Sequence, residues 1–120
     1  MTPDQMKERT KVFAVKVLRF ADELPKGRSV DILARQLVRA GTSVGSNYRA
    51  ACIARSRAEF NAKVQTCLEE SDESAYWLEV LQDCGFSDQV KGKPLLAEAR
   101  ELTAIFMASL KTSRGSRVLP

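Results

Sequence analysis

Apolar residues recur at intervals of three and four along most of the chain, the spacing that places them on one face of an α-helix. The first such stripe predicts a helix from about residue 3 to residue 24, and its members are Met6, Phe13, Val17, Phe20 and Leu24. Thr2 is suited to cap this helix, Pro3 to occupy its first position and Gln5 to complete a capping box. Residues 25–29, which include proline and glycine, then indicate a turn.

A second stripe predicts a helix that begins after Ser29 and ends near Arg55. Its inner residues are Leu33, Leu37, Ala40, Val44, Tyr48 and Ala51. Gly41 and Gly45 lie within this helix, although each glycine costs about 1 kcal/mol of helix propensity relative to alanine. We interpret the two glycines as the place where another helix packs closely, and a kink in the helix is the alternative interpretation.

Two further helices are predicted in the second half of the chain. The third follows a capping box at residues 56–59 and ends before Gly85, a natural residue for a helix C-terminus. Its stripe consists of Phe60, Val64, Cys67, Ser71, Ala75, Leu78 and Gln82. After a polar loop at residues 86–93, Pro94 is expected to open the fourth helix, which ends near Lys111. The inner residues of this last helix are Leu95, Ala99, Leu102 and Phe106.

Four amphipathic helices with short connections predict an all-α protein, an antiparallel up-down four-helix bundle. The 120 residues fit one domain, which we place at residues 1–112. Residues 113–120 are basic and poor in apolar side chains, so we expect a disordered tail there.

The composition argues against several kinds of catalytic site, metal site and disulfide. The chain contains no histidine, which removes the commonest general base and the commonest transition-metal ligand. The odd number of cysteines and the lack of a CxxC pair argue against disulfides and zinc, so we expect reduced thiols and a cytoplasmic location. No apolar run is long enough to span a bilayer, so no membrane partner is expected.

The remaining reactive groups do not form a catalytic or metal-binding pattern. Glu69, Glu70 and Glu73 lie close together, but di-iron bundles need inward-facing Glu-x-x-His units. Ser56 and Cys52 have no partner base for nucleophilic catalysis, and no glycine-rich phosphate loop is present. We therefore expect no catalytic residue, no metal, no cofactor and no enzymatic activity.

Two helices carry apolar side chains outside their core stripes. Val12, Val15 and Leu18 lie away from the first stripe, while Tyr76 and Val80 lie roughly opposite the third. A helix that is apolar on two sides is usually buried on two sides, and in a small bundle another subunit often covers the second side. We expect these five residues to form a homo-oligomer interface; scattered surface hydrophobes are the alternative.

The second helix also has an arginine-rich face. Arg35, Arg39 and Arg49 lie within about 80° of one another on a helical wheel, on the side opposite the core stripe. Guanidinium groups suit phosphate contacts, and a net charge of +4 permits binding to nucleic acid. The candidate nucleic-acid-binding residues are Arg28, Arg35, Arg39, Arg49, Arg55 and Arg57. A solvated face, or ion pairs with the acidic third helix, remains an open alternative, since no aromatic residues alternate with these arginines.

Several stretches together resemble one bacterial protein family. The segment at residues 36–51 is similar to that family's Arg-Ala-x-Thr-Ser-(Val/Ile)-x-x-Asn signature, in which Arg39 and Asn47 are the outer residues. Residues 56–60, Lys63 and the run from Glu70 to Leu78 resemble its third helix, and Leu24-Pro25 also fits. The resemblance covers roughly residues 10–110. The family includes proteins encoded in intervening sequences of large-subunit ribosomal RNA genes.

The resemblance implies an up-down four-helix bundle that assembles as a homopentamer. A related branch, the accessory variability determinant of diversity-generating retroelements, implies RNA or DNA and a reverse transcriptase as candidate partners. The chain differs from the family where Tyr48-Arg49-Ala50 replaces a small residue and a glutamate, a change that adds positive charge. Thr42, Ser43 and Asn47 in the signature are expected to form hydrogen bonds across helices, with Glu70 or Glu73 as candidate partners.

These observations favour a non-enzymatic oligomeric scaffold that binds nucleic acid through arginine-rich faces. A structural or protein-interaction module with an internally paired positive face is the alternative. The two hypotheses differ in what the arginines contact, which depends on the tertiary structure.

Overall fold

The computed structural model describes residues 1–115, and the regular elements in this part of the chain are four α-helices. They are α1 (Pro3–Asp22), α2 (Arg28–Cys52), α3 (Arg57–Asp83) and α4 (Gln89–Gly115). Helix α2 packs against both α1 and α3, α3 packs against α4, and α4 also contacts α1. The prediction of an all-α protein with four packed helices is confirmed.

The starts of α1 and α3 are determined by short polar side chains. Thr2 Oγ1 accepts a hydrogen bond from Gln5 N at 3.1 Å, and Gln5 Oε1 accepts one from Thr2 N at 2.9 Å, which completes the predicted capping box. Ser56 Oγ likewise accepts from Glu59 N at 3.0 Å. The carboxylate of Glu59 accepts instead from Arg55 N, so only half of the second capping box forms.

Helix α2 is displaced from its predicted limits. It begins at Arg28, before the predicted start after Ser29, and it ends at Cys52 instead of near Arg55. Gly27 occupies the N-cap position and forms no side-chain cap bond. Val30, which we did not assign to the stripe, is buried, so the core face of α2 begins one turn before Leu33.

The prediction that Pro94 opens α4 is wrong. The helix begins at Gln89, where Asp88 Oδ1 accepts a hydrogen bond from Val90 N at 2.9 Å. This carboxylate satisfies a donor of the first turn, as N-cap residues do, and therefore allows the helix to start early. Pro94 lies inside the helix, where its ring nitrogen has no proton to donate to the preceding turn.

The far end of α4 also differs from the prediction. The helix continues to Gly115, so residues 113–115 are helical although we placed them in the tail. Ser113 Oγ donates to Asn61 Oδ1 at 2.7 Å, and this contact joins the end of α4 to the first turns of α3. The rest of the predicted tail, residues 116–120, lies outside the described residues.

The core lies between the four helices and contains most of the predicted stripes. Its largest fully buried apolar side chains are Phe13, Val17, Leu37, Val44, Val64, Leu81, Leu102 and Phe106. Leu24, Leu33, Tyr48 and Phe60, which we also assigned to stripes, are only partly buried and pack against this core. The hydrophobic pattern therefore identifies the inner face of each helix correctly.

The two glycines of α2 lie where this helix packs closely on α1. A Cβ atom built on Gly41 would lie 2.9 Å from both γ-carbons of Val17, and one on Gly45 would lie 3.1 Å from Thr10 Oγ1. Real Cβ contacts are rarely so short, so larger residues here would force the helices apart. This geometry supports the interpretation of the glycines as a close helix–helix approach.

Candidate nucleic-acid interface

Three of the six candidate arginines extend along the exposed side of α2. Arg28 lies in its first turn, Arg35 in its third turn and Arg49 in its last turn, and all three are exposed. Within residues 1–115 their side chains form no ion pair and no hydrogen bond. These guanidinium groups therefore keep their full hydrogen-bonding capacity for a ligand.

Arg39 is different because α3 supplies its partners. Its Nη1 atom lies 3.3 Å from both carboxylate oxygens of Glu70, and its Nη2 atom pairs with Glu73. Glu73 also accepts a hydrogen bond from Trp77 Nε1 at 3.0 Å. The bonds from Trp77 and Arg39 hold the pKa of Glu73 below its ordinary value. Arg39 is thus part of a cross-helix cluster, as the alternative of internal pairing requires.

The two arginines at the corner between α2 and α3 have weaker or local partners. Arg55 Nε lies 4.0 Å from Glu59 Oε2, and its side chain is 92% exposed. An ion pair in so exposed a position contributes little to stability. Arg57 Nη1 donates to the backbone carbonyl of Ser113 at 3.3 Å, which connects the start of α3 to the end of α4. The structure therefore divides the six arginines into three that have a partner, Arg39, Arg55 and Arg57, and three that have none within residues 1–115.

The small polar residues of the signature do not bond across helices. Thr42 Oγ1 donates to the carbonyl of Val38 at 2.7 Å, and Ser43 Oγ donates to that of Arg39 at 2.6 Å. Asn47 Nδ2 donates to the Ser43 carbonyl at 2.8 Å. The predicted bonds from Thr42, Ser43 and Asn47 to Glu70 or Glu73 are therefore wrong. Short polar side chains on a helix reach their own preceding turn more easily than a neighbouring helix.

A groove between α1 and α2 is lined by three cations, two of which were not among the candidate residues. We call it the α1–α2 groove; it has a volume of about 200 Å³. Its rims carry Lys7 and Lys11 from α1 and Arg49 from α2. The other lining residues are Thr10, Ala14, Thr42, Gly45 and Ser46. Periodicity could have placed Lys7 and Lys11 on one side of α1, but not opposite Arg49.

Another ion pair missed from the sequence joins α1 to α4. Arg9 Nε and Nη2 donate to the two carboxylate oxygens of Glu98 at 2.8 and 2.7 Å, and Nη2 also lies 3.1 Å from Glu101 Oε1. The hydrogen bonds to Glu98 are the main reason that the pKa of Arg9 is raised. The Arg9 guanidinium therefore links α1 to α4.

The predicted oligomer surface is open in the single chain. Val12 and Val15 are each 39% exposed, Leu18 is 43% exposed and Tyr76 is 55% exposed. Val80 is half-buried. The rings of Tyr76 and Trp77 pack edge to face, with centroids 4.9 Å apart. Val12, Val15, Leu18 and Tyr76 therefore lie outside the core of the bundle.

The groups with catalytic or metal-binding potential are dispersed over the described part of the chain. Among residues 1–115, no group of three or more Cys, Asp or Glu side chains is arranged to hold a metal ion. Cys67 is buried, where its Sγ atom lies 3.5 Å from the carbonyl of Val44, while Cys84 is exposed. Burial raises the pKa of the Cys67 thiol to about 12, which keeps it protonated near neutral pH.

The family model of the 23S rRNA-intervening sequence protein matches residues 4–108. The chain belongs to this family. The resemblance that we found in the sequence is therefore confirmed, and the match includes all but the first residue of α1 and the whole of α2 and α3. No curated protein matches the chain.

A solved structure of a relative supports the fold. It is a protein of unknown function from the S23 ribosomal protein family of Bacteroides thetaiotaomicron, with 28% sequence identity and a TM-score of 0.84. The alignment covers 92% of this chain and 99% of that chain. The likeness to this structure supports the four-helix fold, while the function of this relative is itself unknown. Within residues 1–115, no helix is both long and apolar enough to cross a membrane.

Proposed function

We propose that this chain is a non-enzymatic subunit of a homo-oligomeric scaffold that binds RNA or DNA through positive charge on the outer side of α1 and α2. The observation that carries this proposal is the row of exposed arginines Arg28, Arg35 and Arg49, none of which is paired within residues 1–115. Nucleic-acid phosphates are recognised mainly by such cationic side chains, without regard to base sequence.

The subunit in this proposal is an antiparallel up-down bundle. Residue pairs between packed helices support it, because residue numbers rise along one helix as they fall along its neighbour. Arg39 meets Glu73 while Val44 meets Cys67, so positions rise along α2 as they fall along α3. The same opposite progression relates Arg9 to Glu98 and Glu23 to Lys91 between α1 and α4.

The oligomer in this proposal uses two different patches of the subunit. The exposed residues Val12, Val15 and Leu18 lie on α1, whereas Tyr76 and Val80 lie on α3. The α3 patch is also acidic, since no lysine or arginine occurs between Lys63 and Lys91. A contact between two unlike patches is heterologous and closes into a ring when the rotation permits. Family resemblance favours five subunits.

Sedimentation or light scattering at micromolar concentration tests the assembly. We expect a mass several times that of the chain. Val15→Glu combined with Tyr76→Glu should lower this mass to that of a monomer without loss of helicity, because both side chains are exposed in the single chain. A wild-type monomer would contradict the oligomer.

Nucleic-acid binding is tested by fluorescence anisotropy with a labelled single-stranded RNA and a single-stranded DNA. We expect binding at low salt that weakens steeply as the salt concentration rises. The triple variant Arg28→Gln, Arg35→Gln and Arg49→Gln should bind much more weakly than wild type. A matched control neutralises three other cations: Lys63→Gln, Lys93→Gln and Lys111→Gln. Absence of wild-type binding at low salt would refute the proposal.

The second candidate function is a structural or protein-interaction module without nucleic-acid binding. The pairing of Arg39 with Glu70 and Glu73 favours this candidate, because it shows that part of the arginine face stabilises the bundle. On this hypothesis, Arg35→Glu combined with Arg39→Glu should reduce stability or assembly, and there is no nucleic-acid affinity for the substitutions to reduce. On the nucleic-acid hypothesis, Arg35→Glu alone reduces RNA affinity while the protein stays folded.

The proposal also includes a lack of catalytic activity and a cytoplasmic location. We propose no catalytic residue and no cofactor for this chain, since it contains no histidine, the commonest general base. We place it in the cytoplasm because its thiols, including the exposed Cys84, fit a reducing compartment. Assays of hydrolysis on the bound RNA would detect an activity that contradicts the non-enzymatic assignment.

A further inference from the structure

The α1–α2 groove has the shape and charge of a site for an extended anionic chain. Close packing at Gly41 and Gly45 brings α1 and α2 together, so small residues line the bottom of the groove. Lys7 and Lys11 rise on one side and Arg49 on the other. We propose that this groove binds the phosphodiester backbone of a nucleic acid, an inference that rests on the proposed function and names the site within it.

Charge in the groove is nearly uncompensated. Neither Lys11 nor Arg49 has an ion-pair partner among residues 1–115. The partner of Lys7 is the 95%-exposed Asp4, and this contact is long, at 4.0 Å. No carboxylate lines the groove. Another groove beside α2, lined by Arg35 and Arg39, includes Asp22, and Arg39 is already paired with α3. The α1–α2 groove is therefore the better site for an anion.

The chemistry of the lining residues determines what the groove recognises. Its members are cationic, hydroxyl-bearing or small, and none is aromatic. Proteins that hold nucleic-acid bases without pairing them use aromatic side chains on which the bases stack. A groove without such side chains contacts phosphate and sugar and leaves the bases outside. Binding in the groove is therefore insensitive to base sequence, and its three cations set an upper limit of about three phosphate contacts within the groove.

Two variants of the full chain test the site. Lys11→Gln combined with Arg49→Gln removes charge from both rims, and Ser46→Glu adds a carboxylate to the groove. All three positions are exposed, so these variants are expected to keep the wild-type circular dichroism spectrum. Matched controls on α4 are Lys93→Gln combined with Lys111→Gln, and Ala104→Glu, again at exposed positions.

The measurement is anisotropy with uridine-only and adenine-only single-stranded RNA over a range of salt concentrations. We expect Lys11→Gln with Arg49→Gln to weaken binding to both RNAs by the same factor, about tenfold or more at low salt. The slope of log K against log salt should fall by about 1.4, or 0.7 for each lost phosphate contact. Ser46→Glu should weaken binding at least as much, and Arg49→Lys, which keeps the charge, should retain the wild-type slope.

The outcomes separate this inference from the function on which it rests. If wild type binds RNA and both groove variants bind like their α4 controls, the groove is not the site, although nucleic-acid binding stands. A loss that differs between the two RNAs would mean that bases are read and would also overturn the inference. If wild type binds neither RNA at low salt, the proposed function itself fails.

Discussion

Arg39 and Arg49 occupy the same exposed side of α2 but have opposite surroundings. Arg39 faces α3, where Glu70 and Glu73 neutralise it. Arg49 faces α1, where the other rim of the groove carries Lys7 and Lys11. The charge of a helix face therefore depends on the helix that packs beside it, and a single arginine-rich face can be structural at one position and available at another.

The two sides of α2 also differ in how they pack. Against α1, glycines allow the backbones to approach, and Val17 and Thr10 fill the space where side chains would otherwise lie. Against α3, a polar cluster of Arg39, Glu73 and Trp77 bridges the helices near the surface. Stability should therefore depend mainly on steric fit on the side of α2 that faces α1, and mainly on electrostatics on the side that faces α3.

The largest expected effect comes from filling the close approach to α1. Gly41→Leu should lower the free energy of unfolding by about 3 kcal/mol, because its Cβ alone would meet both γ-carbons of the buried Val17 at 2.9 Å. Urea denaturation measures this change. Combining Gly41→Leu with Val17→Ala should restore part of the loss. A single variant as stable as wild type would show that the close approach is not a constraint.

A smaller effect is expected on the side that faces α3. Arg39→Gln leaves Glu70 and Glu73 next to each other without a cation and should cost about 1 kcal/mol of unfolding free energy, a modest value because the cluster is partly exposed. Arg49→Gln should change stability by less than about 0.5 kcal/mol. A double-mutant cycle of Arg39→Gln with Glu73→Gln measures the coupling. Equal losses for Arg39→Gln and Arg49→Gln would remove the contrast between them.

Acid should weaken the α3 side selectively. The pKa of Glu73 is lowered in the folded protein by the bonds from Trp77 and Arg39, so its contribution to stability is present above its ordinary pKa of about 4.5. This contribution is lost as the pH falls through the lower, folded-state pKa. NMR titration should show the pKa of Glu73 moving towards its ordinary value in Trp77→Phe and in Arg39→Gln. An unchanged pKa in both variants would contradict the cluster.

The smallest effect is expected at the signature hydroxyls. Ser43→Ala should change the free energy of unfolding by less than about 0.5 kcal/mol, because Ser43 bonds only to the carbonyl of Arg39 in its own helix and alanine has the higher helix propensity. Thermal unfolding is a sufficient measurement. A loss above about 1 kcal/mol would point to a contact of Ser43 with another helix or another subunit.

Helix positions were predictable where local side chains decide them and less so elsewhere. Thr2 and Ser56 cap the helices that they were expected to cap, since their bonds reach only three residues along the chain. Asp88 has the same capability, but the presence of Pro94 led us to a later start for α4. Proline is favoured in the first turn of a helix, so its position further inside α4 is not the one that the local rule predicts.

The candidate site was predictable only in part. The helical wheel correctly placed Arg35 and Arg49 on the exposed side of α2, because their positions follow from 100° per residue. It could not show that Arg39 leans towards α3 or that Arg49 shares a groove with Lys11. These relations join residues far apart in the chain, so no local pattern contains them.

The amino-acid sequence by itself determined that the chain forms four amphipathic helices, which side of each helix is buried and to which family the chain belongs. These properties follow from local spacing, capping and a set of neighbouring residues. Only the tertiary structure decided which arginines are neutralised, where the small polar residues bond and where Lys7, Lys11 and Arg49 meet. The reason is physical: electrostatic and steric contacts depend on distances of a few ångströms between helices, and helix packing alone sets those distances.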